Sequence, residues 1–249
     1  LALWLLRTQD IYAALQLWRP LEPPQREQLA SFVRLGIPAA LAVTVEVTSF
    51  TLMAMFIARQ GTLASAGHQI AANLAAVLYM VPLSLAIATS ARVSYWRGAG
   101  QEDHAKMAVL IGFRLLSLVS IALAAIIFIA KEPLASIYST DAQVVQLASG
   151  LLAWVALYHL ADAVQTLCIF VLRSYRISLA TLVVYGVLLW GVGLGGGYLL
   201  AYQGIGPLPA QHAVAPFWVT SAAALAVTSV VFAFMLRHAL RSGRNIQRL

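Results

Sequence analysis

The sequence predicts an all-α integral membrane protein, a bundle of six transmembrane helices. Of its 249 residues, 61% are hydrophobic and 10% are charged, whereas a water-soluble domain carries about 25% charged residues. A helix needs roughly 20 apolar residues to cross the hydrocarbon core of a bilayer. Six stretches meet this requirement. They are long and continuous rather than short and alternating, which favours helices over the strands of a barrel.

The loops between these stretches predict the orientation of the bundle. The predicted spans are, in order, 37–58, 68–92, 107–130, 144–172, 178–202 and 213–236. Most of the 16 Lys and Arg residues lie before the first span or after the second, fourth and sixth, on one side of the membrane. By the positive-inside rule this side is cytoplasmic, and so are both ends of the chain. Topology therefore explains the net charge of +7, and no nucleic-acid partner is expected.

The chain divides into three predicted segments. Residues 1–34 begin with the apolar run LALWLL and continue as a mixed, proline-containing stretch. We interpret them as the end of a preceding membrane helix followed by a cytoplasmic linker. Residues 35–236 form the six-helix bundle, and residues 237–249 form a basic cytoplasmic tail. This arrangement predicts that the chain is part of a longer protein.

Two acidic residues lie where a charge is costly. Seven of the nine acids fall in loops or linkers, but Glu46 and Asp162 lie deep in the first and fourth spans. A charge at the bilayer centre costs at least about 2.5 kcal/mol, and such residues usually mark an ion or proton path. Counted from the nearest cytoplasmic arginine at about 1.5 Å per residue, both lie roughly 16–18 Å into the membrane. Two acids at one depth predict a shared site that holds a proton or a cation, although two protonated structural carboxyls remain an alternative.

Further oxygen ligands accompany Asp162. Tyr158, Asp162 and Gln165 follow the spacing of one helical face, and a hard cation such as Na⁺ prefers such oxygens. Glu46 and Asp162 are therefore candidate Na⁺ ligands. In the second span, Gln69 and Asn73 are candidates to line the same cavity, with hydrogen bonding between helices as the alternative.

The fifth span is rich in glycine. In GVLLWGVGLGGGY (186–198), Gly191 and Gly195 form one GxxxG pair, and Gly193 and Gly197 form another. This spacing lets helix backbones approach closely, so a packing surface is predicted here.

Three stretches together resemble a known family. RLGIPAALAVTVEVTSF (34–50) resembles the start of the seventh helix of the multidrug and toxic compound extrusion (MATE) family. The sequence of 66–98 is similar to its eighth helix and the following loop, and YHLADAVQTLCIFVLRSYR (158–176) to its tenth. The resemblance covers nearly the whole chain as a carboxyl-terminal lobe of the NorM-like branch.

The resemblance implies one lobe of a two-lobe, twelve-helix antiporter in a bacterial inner membrane. Such proteins are not enzymes, need no cofactor and export organic, often cationic drugs in exchange for Na⁺ or H⁺. Glu46 matches the acid of the seventh helix, and Asp162 and Tyr158 match residues of the tenth. The family's frequent Arg-Gly-Tyr after that helix is Arg173-Ser174-Tyr175 here. The amino-terminal lobe, a required partner, is absent from this sequence.

Other functions remain as alternatives. A related flippase for lipid-linked oligosaccharides would need a basic cavity for phosphates, and the deep charges here are acidic. An intramembrane enzyme could use His159 with Asp162, but the H-E-x-x-H motif is absent. A purely structural membrane subunit is the remaining class.

Overall fold

The structure, a computed structural model, describes residues 25–246 and their side chains as far as Arg241. The predicted end of a preceding helix, most of the linker and the last part of the basic tail lie outside the described residues. The chain divides into two compact units, Leu1–Arg34 and Leu35–Leu249, and every site described below belongs to the second. Within residues 25–246, six helices are long and apolar enough to cross a membrane. The predicted six-helix, all-α class is confirmed.

The elements are seven helices within the described residues. They are α1 Arg26–Ala58, α2 Thr62–Gly98, α3 Glu102–Ile129, α4 Lys131–Tyr138, α5 Ala142–Ser174, α6 Leu179–Gln203 and α7 Ala215–Ile246. Each predicted span corresponds to one long helix, and most helices extend beyond the predicted ends. The short helix α4 was not predicted, because eight residues are too few for a membrane-spanning pattern. Helix α1 already begins at Arg26, inside the segment interpreted as a linker.

Helix α5 forms the centre of the bundle. Its N-cap is Asp141, whose carboxylate accepts hydrogen bonds from the backbone N–H groups of Gln143 at 2.8 Å and Val144 at 3.4 Å. Such a cap satisfies donors that have no partner in the first helical turn. Helix α5 packs against α2, α3 and α7, and it is the most buried of the six spans. Side chains on this helix are therefore shielded from lipid on most sides.

Of the two GxxxG pairs predicted in α6, one packs closely against a neighbouring helix. The helix has wide π-helical turns over Gly186–Gly195. A Cβ at Gly197 would lie 2.7 Å from Cδ1 of Phe217 and 2.9 Å from Oγ1 of Thr220, both on α7. Gly193 also faces α7, whereas a Cβ at Gly191 would meet no atom within 4 Å. The Gly193 and Gly197 pair is the packing surface.

Helix α1 is the most loosely packed span. Its buried side chains are few: Ala42, Met53 and Ile57. Two side chains of α6 hold its backbone, because Trp190 Nε1 donates to the carbonyl of Val45 at 3.1 Å and the Tyr202 hydroxyl donates to that of Phe56 at 2.6 Å. A cavity lies between α1 and the helices α2 and α5.

A polar cluster joins the α2–α3 loop to the end of α5. Glu102 accepts hydrogen bonds from Arg97 Nε at 2.9 Å and from the Tyr175 hydroxyl at 3.0 Å. The Arg97 guanidinium lies 3.9 Å from the centre of the Tyr175 ring and also donates to the carbonyl oxygen of Ser174. Burial raises the pKa of the Tyr175 phenol, and the Glu102 carboxylate raises it further. The phenol therefore keeps its proton and remains a donor. We call these four residues the loop cluster.

Candidate functional site

The central helix carries two deeply buried residues of the predicted coupling site. Asp162 is 4% exposed and Tyr158, one turn earlier, is 7% exposed. Their positions follow from the burial of α5, since the spacing of four residues places both side chains on the same face. The Tyr158 ring contacts Phe50 of α1 and Trp218 of α7 edge to face, with centroids 5.9 and 5.7 Å apart. These aromatic contacts fix the tyrosine beside the acid.

The acids of α1 and α5 line one cavity. Glu46 is half-buried, and it borders the same space, of about 410 Å³, as Tyr158 and Asp162. We call this space the acidic cavity. Its other lining residues are Val43, Val47, Phe50 and Thr51 of α1 and Ala72, Ala75, Ala76 and Tyr79 of α2. The structure thus brings together Glu46, Tyr158 and Asp162, the three predicted coupling residues, from two helices that are far apart in the chain.

A buried hydrogen-bond chain orients Asp162. The Gln165 amide donates to Asp162 Oδ1 at 2.9 Å and to Thr166 Oγ1 at 3.1 Å. Its carbonyl accepts a hydrogen bond from the Tyr185 hydroxyl of α6. Gln165 is 1% exposed and lies behind Asp162 rather than among the residues that line the cavity. The Thr166 side chain also interacts with the Asp162 carboxylate, which still borders the cavity.

Glu46 has no such support. Among residues 25–241, no side chain forms a hydrogen bond or a salt bridge with its carboxylate. Its electrostatic neighbours are Asp162 and the Arg173 guanidinium, which lies further along α5. Arg173 also interacts with Tyr79 and rests over the Phe170 ring, with 4.9 Å between the guanidinium carbon and the ring centre. Arg173, which the sequence interpretation had treated only as the cytoplasmic flank of its span, is thus an electrostatic neighbour of Glu46.

The α2 wall of the cavity differs from the prediction. Gln69 and Asn73 are exposed and do not line the cavity, and Asn73 Oδ1 instead accepts a long hydrogen bond, 3.4 Å, from Tyr138 of α4. The helical period explains this correction, because the lining face of α2 carries Ala72, Ala76 and Tyr79. Tyr79 was missed by the sequence reasoning. Its spacing from Ala72 and Ala76, with a polar tip on an apolar helix, is the signal that could have found it.

His159, another polar residue of α5 near Asp162, does not pair with it. His159 is 2% exposed, and its Nε2 is buried without a hydrogen-bond partner among the described residues. It does not line the acidic cavity, and within the described residues it forms no hydrogen bond or ion pair with Asp162, whose Oδ1 is bound by Gln165. The described residues also contain no group of three or more His, Cys, Asp or Glu side chains able to hold a metal ion. The pairing of His159 and Asp162 that an intramembrane enzyme would need is therefore not formed.

The cavity offers oxygen donors of the type that binds Na⁺ or H⁺. Two carboxylates and one phenol, from Glu46, Asp162 and Tyr158, border a single space. Two negative charges in a region of low dielectric constant repel each other, and a bound proton or cation relieves that repulsion.

Known proteins are similar to this chain in sequence. The family model described as MatE matches residues 38–199. The chain is 36% identical over 236 residues to the probable multidrug resistance protein NorM of Aromatoleum aromaticum, covering 95% of the chain and 51% of that protein. It is 35% identical over 226 residues to the multidrug resistance protein MdtK of Pectobacterium atrosepticum, covering 88% of the chain and 49% of that protein.

Solved structures share the fold. The eukaryotic MATE transporter AtDTX14 superimposes with a TM-score of 0.83 at 21% identity, over 98% of this chain and 54% of that one. A MATE structure in the bent conformation gives a TM-score of 0.82 at 13% identity, over 96% of this chain and 54% of that one. The chain thus spans about half the length of the curated relatives it matches and of these solved structures.

Proposed function

Because the chain belongs to the multidrug and toxic compound extrusion (MATE) family, we propose that it is one lobe of a secondary active antiporter. This antiporter would export organic, often cationic drugs in exchange for Na⁺ or H⁺. The observation that carries the proposal is the acidic cavity, in which Glu46, Asp162 and Tyr158 border one space of about 410 Å³. The relatives named multidrug resistance proteins support the export of drugs.

The proposed organisation has two lobes. Residues 35–236 would form the carboxyl-terminal lobe, residues 1–34 the end of a preceding helix and the linker between the lobes, and residues 237–249 a cytoplasmic tail. A second, amino-terminal lobe would be the partner, which the length of the relatives supports. The positive-inside rule supports cytoplasmic ends, and the bacterial relatives support an inner-membrane location. The protein would use no cofactor apart from the coupling ion.

The proposed mechanism is reciprocal linkage between ion and drug. If the ion binds the state that releases drug more tightly, then drug binding must weaken ion binding by the same factor. Glu46 would take the larger part in this switch, because its carboxylate has no competing hydrogen bond in the described residues and α1 is the most loosely packed span. Asp162 would be the fixed half of the site, held by Gln165. Alternating access then follows from rocking of one lobe against the other.

The test is ion-driven efflux by the full-length transporter carrying Glu46→Gln or Asp162→Asn. Each substitution removes a charge with little change in shape. We expect a loss of ion-driven efflux of a cationic dye by about 5- to 150-fold, the range that typical coupling free energies span. Drug binding to the purified protein separates loss of coupling from loss of the drug site. Varying Na⁺ at a fixed proton gradient identifies the ion.

The matched control is Glu132→Gln, which neutralises an exposed acid on α4 outside the cavity. This variant should keep wild-type efflux. Wild-type ion-driven efflux in both Glu46→Gln and Asp162→Asn would refute the coupling assignment.

The alternatives have less support. A flippase for phosphate-bearing lipids would need cationic groups in the cavity, and this cavity has two acids in its lining with Arg173 as the neighbouring cation. An intramembrane enzyme would need His159 to act with Asp162, but within the described residues the two side chains form no hydrogen bond or ion pair, and His159 does not line the acidic cavity. No specific observation favours either function.

A further inference from the structure

A second space opens between α3 and α7. This groove, of about 470 Å³, is lined by Lys106 near the start of α3 and by Arg237 and Arg241 near the end of α7. Its remaining lining is apolar and includes Phe113 and Leu236. It shares no lining residue with the acidic cavity. Helices α3 and α7 approach each other only sparsely along their length, which leaves the groove open between them. We call it the basic groove.

The mouth of the basic groove carries an excess of positive charge. Lys106 pairs with Asp103 at 3.4 Å, but the Asp103 side chain is 95% exposed and such pairs contribute little. Arg237 and Arg241 are exposed, and among residues 25–241 no carboxylate forms a salt bridge with either of them. Three cations with one weak partner favour an anionic ligand.

The apolar part of the groove points away from the charges along the membrane normal. Phe113 follows Lys106 by two helical turns, about 10 Å along the axis. The neighbouring outer surface is apolar too, since Leu110 is 45% exposed and Phe234 is 73% exposed. Exposed apolar side chains beside the groove suit contact with acyl chains. The groove therefore has a charged end at the depth of headgroups and an apolar end at the depth of acyl chains.

We propose that the basic groove binds an anionic phospholipid. The phosphate would contact Lys106, Arg237 and Arg241, and an acyl chain would lie against Phe113 and Ala233. Basic pockets between membrane helices are suited to anionic headgroups, and each Lys or Arg near the surface contributes to the attraction. A zwitterionic lipid would gain less, because its own positive group opposes the three cations. The bound lipid would fill the gap between α3 and α7.

The test measures lipid retained by the full-length transporter. Purified protein would be exchanged into mixed phosphatidylglycerol and phosphatidylcholine, and the bound lipid counted by native mass spectrometry. We expect preferential retention of phosphatidylglycerol. Replacing Lys106, Arg237 and Arg241 together by Gln should weaken it by about 100-fold, roughly fivefold for each cation. Ala233→Phe, which fills the groove and keeps its charges, should also displace the lipid.

Two controls separate the groove from general effects of charge and bulk. A triple variant with Arg114, Lys131 and Arg176 replaced by Gln loses the same charge outside the groove, and it should retain phosphatidylglycerol. Ala122→Phe adds the same bulk on an exposed position of α3 and should have no effect.

Three results would overturn the proposal. They are equal retention of both lipids by the wild-type protein, wild-type retention by the groove variant, and equal losses in the groove and control variants. Binding of inorganic phosphate as tight as that of phosphatidylglycerol would show an anion site without an acyl-chain contact, which also contradicts the proposal. Efflux is not the readout, so the result is independent of the proposed coupling site.

Discussion

Two glutamates of this chain differ in how the protein neutralises their negative charge. Glu102, at the start of α3, is 7% exposed, and its two carboxylate oxygens accept hydrogen bonds from Arg97 and Tyr175. Glu46, in the middle of α1, has neither a hydrogen bond nor a salt bridge within the described residues. The loop cluster neutralises its acid inside the protein, whereas the acidic cavity leaves that neutralisation to a ligand.

This difference separates a structural acid from a candidate coupling acid. A buried charge that is fully paired stabilises one arrangement, and removing its partner is costly. An acid with an open cavity and no partner can exchange a proton or an ion without breaking protein contacts. The partners of each carboxylate therefore assign Glu102 a structural role and make Glu46 a candidate for ion coupling.

The largest expected effect on stability belongs to Glu102→Gln. The amide cannot pair with the Arg97 charge, and the partly buried guanidinium loses its counter-ion. We expect the free energy of unfolding to fall by about 2–3 kcal/mol. Denaturant unfolding of the detergent-solubilised, full-length protein measures it.

The adjacent residue supplies the control for this prediction. Asp103→Asn removes the same charge one position away, where the side chain is 95% exposed and pairs with Lys106 at 3.4 Å. An exposed pair contributes little, so this variant should unfold like the wild type. Equal destabilisation by the two substitutions would mean that charge at the start of α3, rather than the loop cluster, stabilises the protein.

These two acids also show how far the sequence could predict the structure. Apolar length predicted the six spans, because crossing a bilayer imposes one requirement on every helix. Counting residues from the cytoplasmic arginines placed Glu46 and Asp162 at one depth, because every membrane helix rises by about 1.5 Å per residue. Glu102, by contrast, was counted as a loop acid, since its partner Tyr175 is far away in sequence. Contacts between distant side chains leave no local pattern to detect.

The missed and misplaced residues of the cavity have related causes. Gln69 and Asn73 were chosen for their polarity, but which face of α2 lines the cavity depends on how α2 packs against α1 and α5. That packing selected Tyr79 instead. The π-helical turns of α6 were likewise not predicted, because an apolar, glycine-rich run is compatible with either helical geometry.

A smaller effect is expected where α6 holds α1. Tyr202→Phe removes the hydroxyl that donates to the carbonyl of Phe56 at 2.6 Å and keeps the ring. We expect a loss of about 1 kcal/mol in the free energy of unfolding, with faster amide hydrogen exchange in the second half of α1. Exchange measured by mass spectrometry on the full-length protein detects this local change.

Tyr198→Phe is the matched control for that variant. Tyr198 packs against the Tyr202 ring at 5.2 Å between centroids, but among the described residues its hydroxyl has no hydrogen-bond partner. Unchanged exchange in α1 after Tyr202→Phe, or an equal change after Tyr198→Phe, would show that ring packing rather than the hydrogen bond holds α1.

The smallest effect on stability is expected for Glu46→Gln, the counterpart of Glu102→Gln. The substitution preserves shape and breaks no hydrogen bond or salt bridge within residues 25–241. It also removes a charge that is costly at membrane depth. The free energy of unfolding should therefore stay within about 0.5 kcal/mol of the wild type or rise, while ion-driven efflux is lost. A loss of stability as large as that of Glu102→Gln would instead make Glu46 a structural acid whose carboxylate has a stabilising partner.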